Sequence, residues 1–228
     1  MTEHIVKSYD DELSQLAAEV VRMGGLAEAQ LDSCIEAVAK RDLAEAEAVV
    51  ARDEQIDAME IDIDGHCTRL IALRQPVAID LRRILAAIRI IGNLERCGDM
   101  AETIAASVRH LTESELLIPH TGTIERMGRL VTSRLREALN AYATNDVERA
   151  VAIWSSDNEV DEYYNSIFRE LLTYMMGDPR MINACSRLLF VAKSLERVGD
   201  HATNIAEVVY YQVMGRPLPQ SRPKGAAA

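Results

Sequence analysis

The 228-residue chain is 48% hydrophobic, enough to build a packed core, and its formal net charge of −11 repels a phosphate backbone. Nucleic-acid binding would need a local basic patch, and the sequence offers none. It also has no apolar run of the ~18 residues that cross a bilayer, and the opening MTEHIVKSYDDELSQL lacks the basic-then-apolar pattern of a secretion signal, so a cytoplasmic location is expected.

Apolar residues at helical spacing (Leu13, Leu16, Val20, Met23, Ala27, Leu31, Ile35, Val38) predict a first helix over 3–40. Asp42, with Glu45 three residues on, reads as the cap of a second over 43–73, carried by Val49, Ile56, Ile63, Cys67 and Leu70. Pro76 opens a third over 76–112, and TESELLIPH (112–120) is a linker. A fourth helix is predicted from near Thr123 over 121–144, and a fifth, capped by Asp146, over 147–176. Asp178 followed by Pro179 opens a sixth over 179–215. The tail, 216–228, falls within the proline-rich GRPLPQSRPKGAAA and is expected to be disordered. No alternating strand pattern interrupts the helices. Cys34, Cys67, Cys97 and Cys185 lie far apart without a C-x-x-C, as buried reduced thiols do.

The chain repeats itself. LERCGDMAETIA (94–105) returns as LERVGDHATNIA (195–206), an offset of 101. Met23, Asp42, Asp53, Ile56 and Asp57 return as Met127, Asp146, Asp157, Val160 and Asp161, an offset of 104. A turn shorter by three residues between the second and third helices of the later half reconciles the two. The expected fold is therefore all-α, a tandem repeat of two antiparallel three-helix bundles with six long helices: one unit over 1–112, a linker over 113–120 and a second unit over 121–215. Nine of ten aromatic residues lie at or after Tyr142, so the second core is expected to be bulkier.

Glu95 and Asp99 are four apart on one helix face, as are Glu196 and Asp200. At about 100° per residue they continue the apolar stripe Ile84, Ile88, Ile91 rather than the solvent side, and Glu102 follows them. Gly98 and Gly199 precede the second acid of each pair, where glycine costs ~1 kcal/mol of helix propensity; the return is room for another backbone or a ligand to approach. Folding the second and third helices back on each other brings Asp53 and Asp57 level with Glu95 and Asp99, and Asp157 and Asp161 level with Glu196 and Asp200 in the later hairpin. Two carboxylates ~4 Å apart repel by ~4 kcal/mol at an effective dielectric near 20. Protonation, arginines or bound cations could each compensate. Arg96 and Arg197 are turned about 100° from the neighbouring glutamates, which favours cations. An all-oxygen set suits hard ions such as Mg²⁺, Mn²⁺ or iron. Asp42 and Asp146 are explained by capping, Glu102 (Thr203 in the later copy) reads as an edge residue, and His201 as a surface or outer-sphere histidine because the first copy has Met100.

The two phrases, together with RQPVAIDLRRI at 74–84, resemble the PhoU family of phosphate-signalling regulators over residues 5–215. The resemblance implies a cytoplasmic, dimerising, non-catalytic adaptor linked to the ATPase of the phosphate ABC transporter and to a sensor histidine kinase. It would repress the phosphate-starvation response when phosphate is plentiful, reaching the membrane only through those partners and binding no nucleic acid. It also implies metal clusters held by the E(D)-x-x-x-D acids, here Glu95, Asp99, Glu196 and Asp200, with Mg, Mn, Fe or Zn as the candidate ions. The second phrase keeps the family's Asn at 204 where the first has Thr103, so the two sites are expected to differ in metal affinity. The alternatives are a metal-buffering bundle without a phosphate role, and a di-iron carboxylate enzyme, which would need a Glu-x-x-His that no histidine here provides.

Overall fold

A computed structural model of the chain describes residues 2–112, 121–156 and 158–218. The linker at 113–120, Asp157 and the tail beyond residue 218 lie outside the described residues. Among the described residues there are seven α-helices and no strand: α1 (Thr2–Lys40), α2 (Leu43–Arg74), α3 (Ala78–Thr112), α4 (Thr121–Thr144), α5 (Val147–Ser155), α6 (Asn158–Gly177) and α7 (Ile182–Met214).

Three boundaries depart from the sequence reading. The predicted fifth helix is two, because Ser156 closes α5 with its N–H and hydroxyl both on the Ile153 carbonyl. The third helix begins at Ala78 rather than Pro76, since Gln75 and Ala78 both take positive φ (48° and 49°) around the turn. The sixth begins as a 3₁₀ turn, Pro179–Met181, in which the Arg180 amide donates to the Asp178 carboxylate at 3.0 Å.

The repeat is visible in backbone detail. Arg41 and Asn145, 104 residues apart, both sit at φ 54°. Asp42 and Asp146 then cap the next helix in the same way, accepting from Glu45 N at 3.1 Å and Arg149 N at 2.9 Å. A local sequence signal thus folds to the same corner twice.

The two units share one hydrophobic core. α1 packs on α3 and α4, and α7 packs on α3 and α4, so these four helices form the centre; α2 covers α1 and α3 on one flank, and α5 with α6 covers α4 and α7 on the other. The core is mainly aliphatic in both halves. Among the described residues the buried aromatics, Tyr142, Trp154 and Tyr210, all belong to the second unit, and Tyr163, Tyr164 and Tyr174 pack against the core, while Phe168 and Phe190 are exposed, so the second unit contributes the bulkier side chains. The cysteines are all free and buried. No described helix is long and apolar enough to cross a membrane.

Close approach of α1 to α4 rests on a reciprocal pair of contacts. A Cβ added at Gly24 would lie 2.4 Å from Leu139 Cδ1, and one added at Gly128 would lie 2.6 Å from Ile35 Cδ1. Both the glycines and their partners are 104 residues apart, which makes the contact symmetric between the units. Nothing lies within 4 Å of a Cβ at the neighbouring Gly25. Thermal unfolding is expected to show Gly24→Ala losing about 1–3 kcal/mol to overpacking and Gly25→Ala gaining up to ~1 kcal/mol of helix propensity. Equal effects of the two substitutions would contradict the reciprocal contact.

Candidate functional site

The hairpin of α2 and α3 gathers its acids as the level argument requires. On α3 the core takes Leu94, Cys97, Gly98 and Ala101, so Glu95, Asp99 and Glu102 stand one residue on, at the border of the buried stripe. Asp53 reaches that border from α2. It is buried, its Oδ1 accepts from Gln30 Nε2 at 3.1 Å, and a Cβ on Gly98 would come within 2.8 Å of the same oxygen. Gly98 is therefore the space that lets Asp53 lie against α3.

Burial raises the Asp53 carboxyl above the usual carboxylate range; the Gln30 hydrogen bond opposes this, and the charges of Asp57 and Asp99 add to it. Glu60, Glu95 and Glu102 are raised in the same way, first by burial and then by Asp57 on Glu60, by Asp99 on Glu95 and by Asp53 on Glu102. Six carboxylates thus bear on one another where the sequence reading counted four. Glu60 was missed because the later copy has Tyr164 in its place, and Glu102, read as an edge residue, belongs to the group. Arg96, expected to point elsewhere, reaches back to Asp99 Oδ2 at 2.8 Å and Glu95 Oε2 at 3.3 Å, because a long side chain can fold across its own helix face.

In the second hairpin Asp161 lies on α6 and Glu196 and Asp200 on α7, with Asp157 outside the described residues. Its surroundings differ. Glu196 is paired with Lys193 at 2.6 Å, and Gly199 accommodates Val160, whose Cγ1 lies 3.3 Å from the place of a Cβ. Among the described residues, no group of three or more His, Cys, Asp or Glu side chains stands together as a metal-holding set in the structure as it is.

Two residues of the second phrase serve the joint between the units instead of an acid site. His201 Nδ1 lies 3.0 Å from Asn93 Oδ1, and Asn204 Nδ2 donates to the same oxygen at 3.4 Å. His201 is thus an inter-unit contact rather than a surface or outer-sphere histidine, and burial lowers its pKa. Asn204 likewise faces α3. Arg187, Lys193 and Arg197 of α7 meet His110 and Glu102 of α3 along a groove of about 540 Å³ beside Phe190, of mixed charge because Lys193 is paired with Glu196.

The arrangement is that of an all-α tandem-repeat bundle with one acidic hairpin per unit. Residues 20–108 and 124–209 each match the family model described as the PhoU domain. Over 224 residues the chain is 58% identical to the phosphate-specific transport system accessory protein PhoU homolog of Caulobacter vibrioides, covering 98% of this chain and 97% of that one. The crystal structure of PhoU from Pseudomonas aeruginosa aligns with a TM-score of 0.88 at 38% identity, covering 91% of this chain and 100% of that one. The phosphate transport system regulatory protein PhoU from Streptococcus pneumoniae aligns with a TM-score of 0.86 at 29% identity, covering 93% and 100%. The chain belongs to the PhoU family.

Carboxyls whose pKa is raised by folding stabilise the protein below the ordinary value near 4, and that contribution is lost as the pH rises through the raised values. Without added metal, Glu95→Gln is therefore expected to raise stability at pH 7.5 by about 1 kcal/mol, some 2–4 °C in Tm. The advantage should shrink towards pH 4.5. A lower Tm for the variant at pH 7.5 would mean that Arg96 outweighs the repulsion.

Proposed function

We propose that this chain regulates phosphate uptake and signalling as a metal-binding adaptor. In this reading it links the ATPase of the phosphate ABC transporter to a sensor histidine kinase and represses the phosphate-starvation response when phosphate is plentiful. The observation that carries the proposal is the near-full-length kinship with a phosphate-specific transport system accessory protein, spanning both units. The protein works in the cytoplasm as a homodimer, without catalysis of its own and without nucleic acid, and meets the membrane through its partners.

The α2–α3 hairpin supports the metal half of the reading. Its donors are all oxygen, they are partly buried and mutually repelling, and Gly98 gives Asp53 the room to lie against α3. Such a set fits a hard divalent or trivalent cation, Mg, Mn or Fe before Zn. Asp53, Asp57, Glu95 and Asp99 would hold it, with Glu60 and Glu102 beside them. A bound cation supplies the positive charge that the six carboxylates lack, fixing α2 against α3 and setting the surface presented to partners. Asp157, Asp161, Glu196 and Asp200 form the second set of the same pattern.

A phosphate-starvation reporter measured in phosphate-rich medium tests the proposal. Deleting the gene for this chain is expected to switch the reporter on, and the intact gene to silence it again. A reporter that stays silent on deletion, in cells with no second copy, would count against the phosphate role and favour a metal-buffering bundle.

A further inference from the structure

Where the end of α4 meets α1, α3 and α7, a cleft of about 570 Å³ lies apart from both acidic hairpins. Arg83, its contribution from α3, stands twelve residues before Glu95, about 18 Å along the helix. One wall is apolar, made by Leu13, Leu16, Ala17 and Val21 of α1. Acids outnumber bases 36 to 25 in the chain, yet no carboxylate lines this cleft and two arginines, Arg22 and Arg83, do. Its size and largely apolar lining are those of a site for a small molecule.

The arginines are not spent on neighbours. Among the described residues neither is in an ion pair or a hydrogen bond. Glu19, one turn before Arg22, is engaged instead by Gln15 Nε2 at 3.0 Å and His66 Nδ1 at 2.8 Å. Asp80, one turn before Arg83, is not part of the lining, and the charge of Arg83 bears on Tyr142. Two polar side chains of the lining are more than nine-tenths buried. Tyr142 is 5% exposed and its hydroxyl has no hydrogen-bond partner among the described residues; burial raises its pKa, so it stays protonated and able to donate. Gln212 is 6% exposed and donates from Nε2 to Asn145 Oδ1 at 2.8 Å, which leaves Oε1 buried without a donor. Buried polar atoms are nearly always paired, so these two mark a wall that a ligand completes.

We propose that this cleft binds a small organic anion, a carboxylate or phosphate group carried on an apolar body. The head meets Arg83, Arg22 and the Tyr142 hydroxyl, the body covers Leu16, Ala17 and Val21, and a donor on the body reaches Gln212. Guanidinium groups hold such heads through paired N–H donors. The apolar wall is what separates this ligand from inorganic phosphate, which has nothing to lay against α1. No acid of either hairpin takes part, so the inference is independent of the metal reading. Occupancy would tie α1 of the first unit to α4 and α7 of the second, giving the chain an input across the joint.

Three probes separate head from body: 8-anilinonaphthalene-1-sulfonate, N-phenyl-1-naphthylamine, which is the same body without the sulfonate, and inorganic phosphate. In fluorescence titrations of the full chain, the sulfonate is expected to bind one per chain and at least tenfold tighter than the neutral amine. Inorganic phosphate at equal concentration is expected not to displace it. Arg83→Gln should weaken the sulfonate at least fivefold and leave the amine unchanged, and Tyr142→Phe should weaken it by a smaller factor. Ala18→Trp, which fills an exposed position of the lining with bulk, should abolish binding of both. Arg69→Gln, at an exposed arginine outside the cleft, should change neither. Arg83, Ala18 and Arg69 are exposed, so these variants are expected to keep the helical circular dichroism of the native chain. Sulfonate binding that survives Ala18→Trp, falls equally with Arg69→Gln, is matched by the neutral amine or yields to inorganic phosphate overturns the proposal.

Discussion

The structure depends on burying one side of α3 and one side of α7 in a core common to both units. Leu94, Cys97 and Ala101 on α3, and Leu195, Val198 and Ala202 on α7, are locked into that core. The acids of each phrase, one helical step away, therefore cannot rotate out to full solvent without dragging buried side chains with them. Their charge is held at the edge of a low-dielectric interior by packing, and the electrostatic character of the hairpins follows from that.

Holding like charges in place makes them available. A flexible surface cluster would spread to relieve its repulsion, whereas Asp53 is fixed by Gln30 and by the fit of Gly98 against it. The strain is bounded, because Glu95 and Asp99 retain some contact with water and Arg96 folds over them. The outcome is a face whose charge balance depends on what neutralises it.

Helix identity and the tandem repeat were legible in the sequence because both are local or periodic: caps at Asp42 and Asp146, apolar spacing, and two phrases in register. The four-acid core of the first hairpin was legible too, since helix pitch and a short turn fix which residues are level. What escaped was what differs between the copies. Reading by repetition keeps shared positions and discards the rest, so Glu60 and Lys193 passed unnoticed although each is three residues from an acid of the motif. The break between α5 and α6 had a signal in the run Ser155, Ser156, Asp157, Asn158, all residues that favour caps over helix interiors. Arg96 was misplaced because Cβ direction describes a short side chain better than a guanidinium on a long stem.

The reciprocal seating of Leu139 against Gly24 and Ile35 against Gly128 has the form of an isologous interface, in which one patch meets a copy of itself. Such a joint is what a single three-helix unit would use to pair with its twin. Within one chain the two units stand to each other as the halves of a dimer do, yet they need not be identical: a substitution in one unit does not appear in the other, and a charge can stand beside one acidic hairpin without standing beside both.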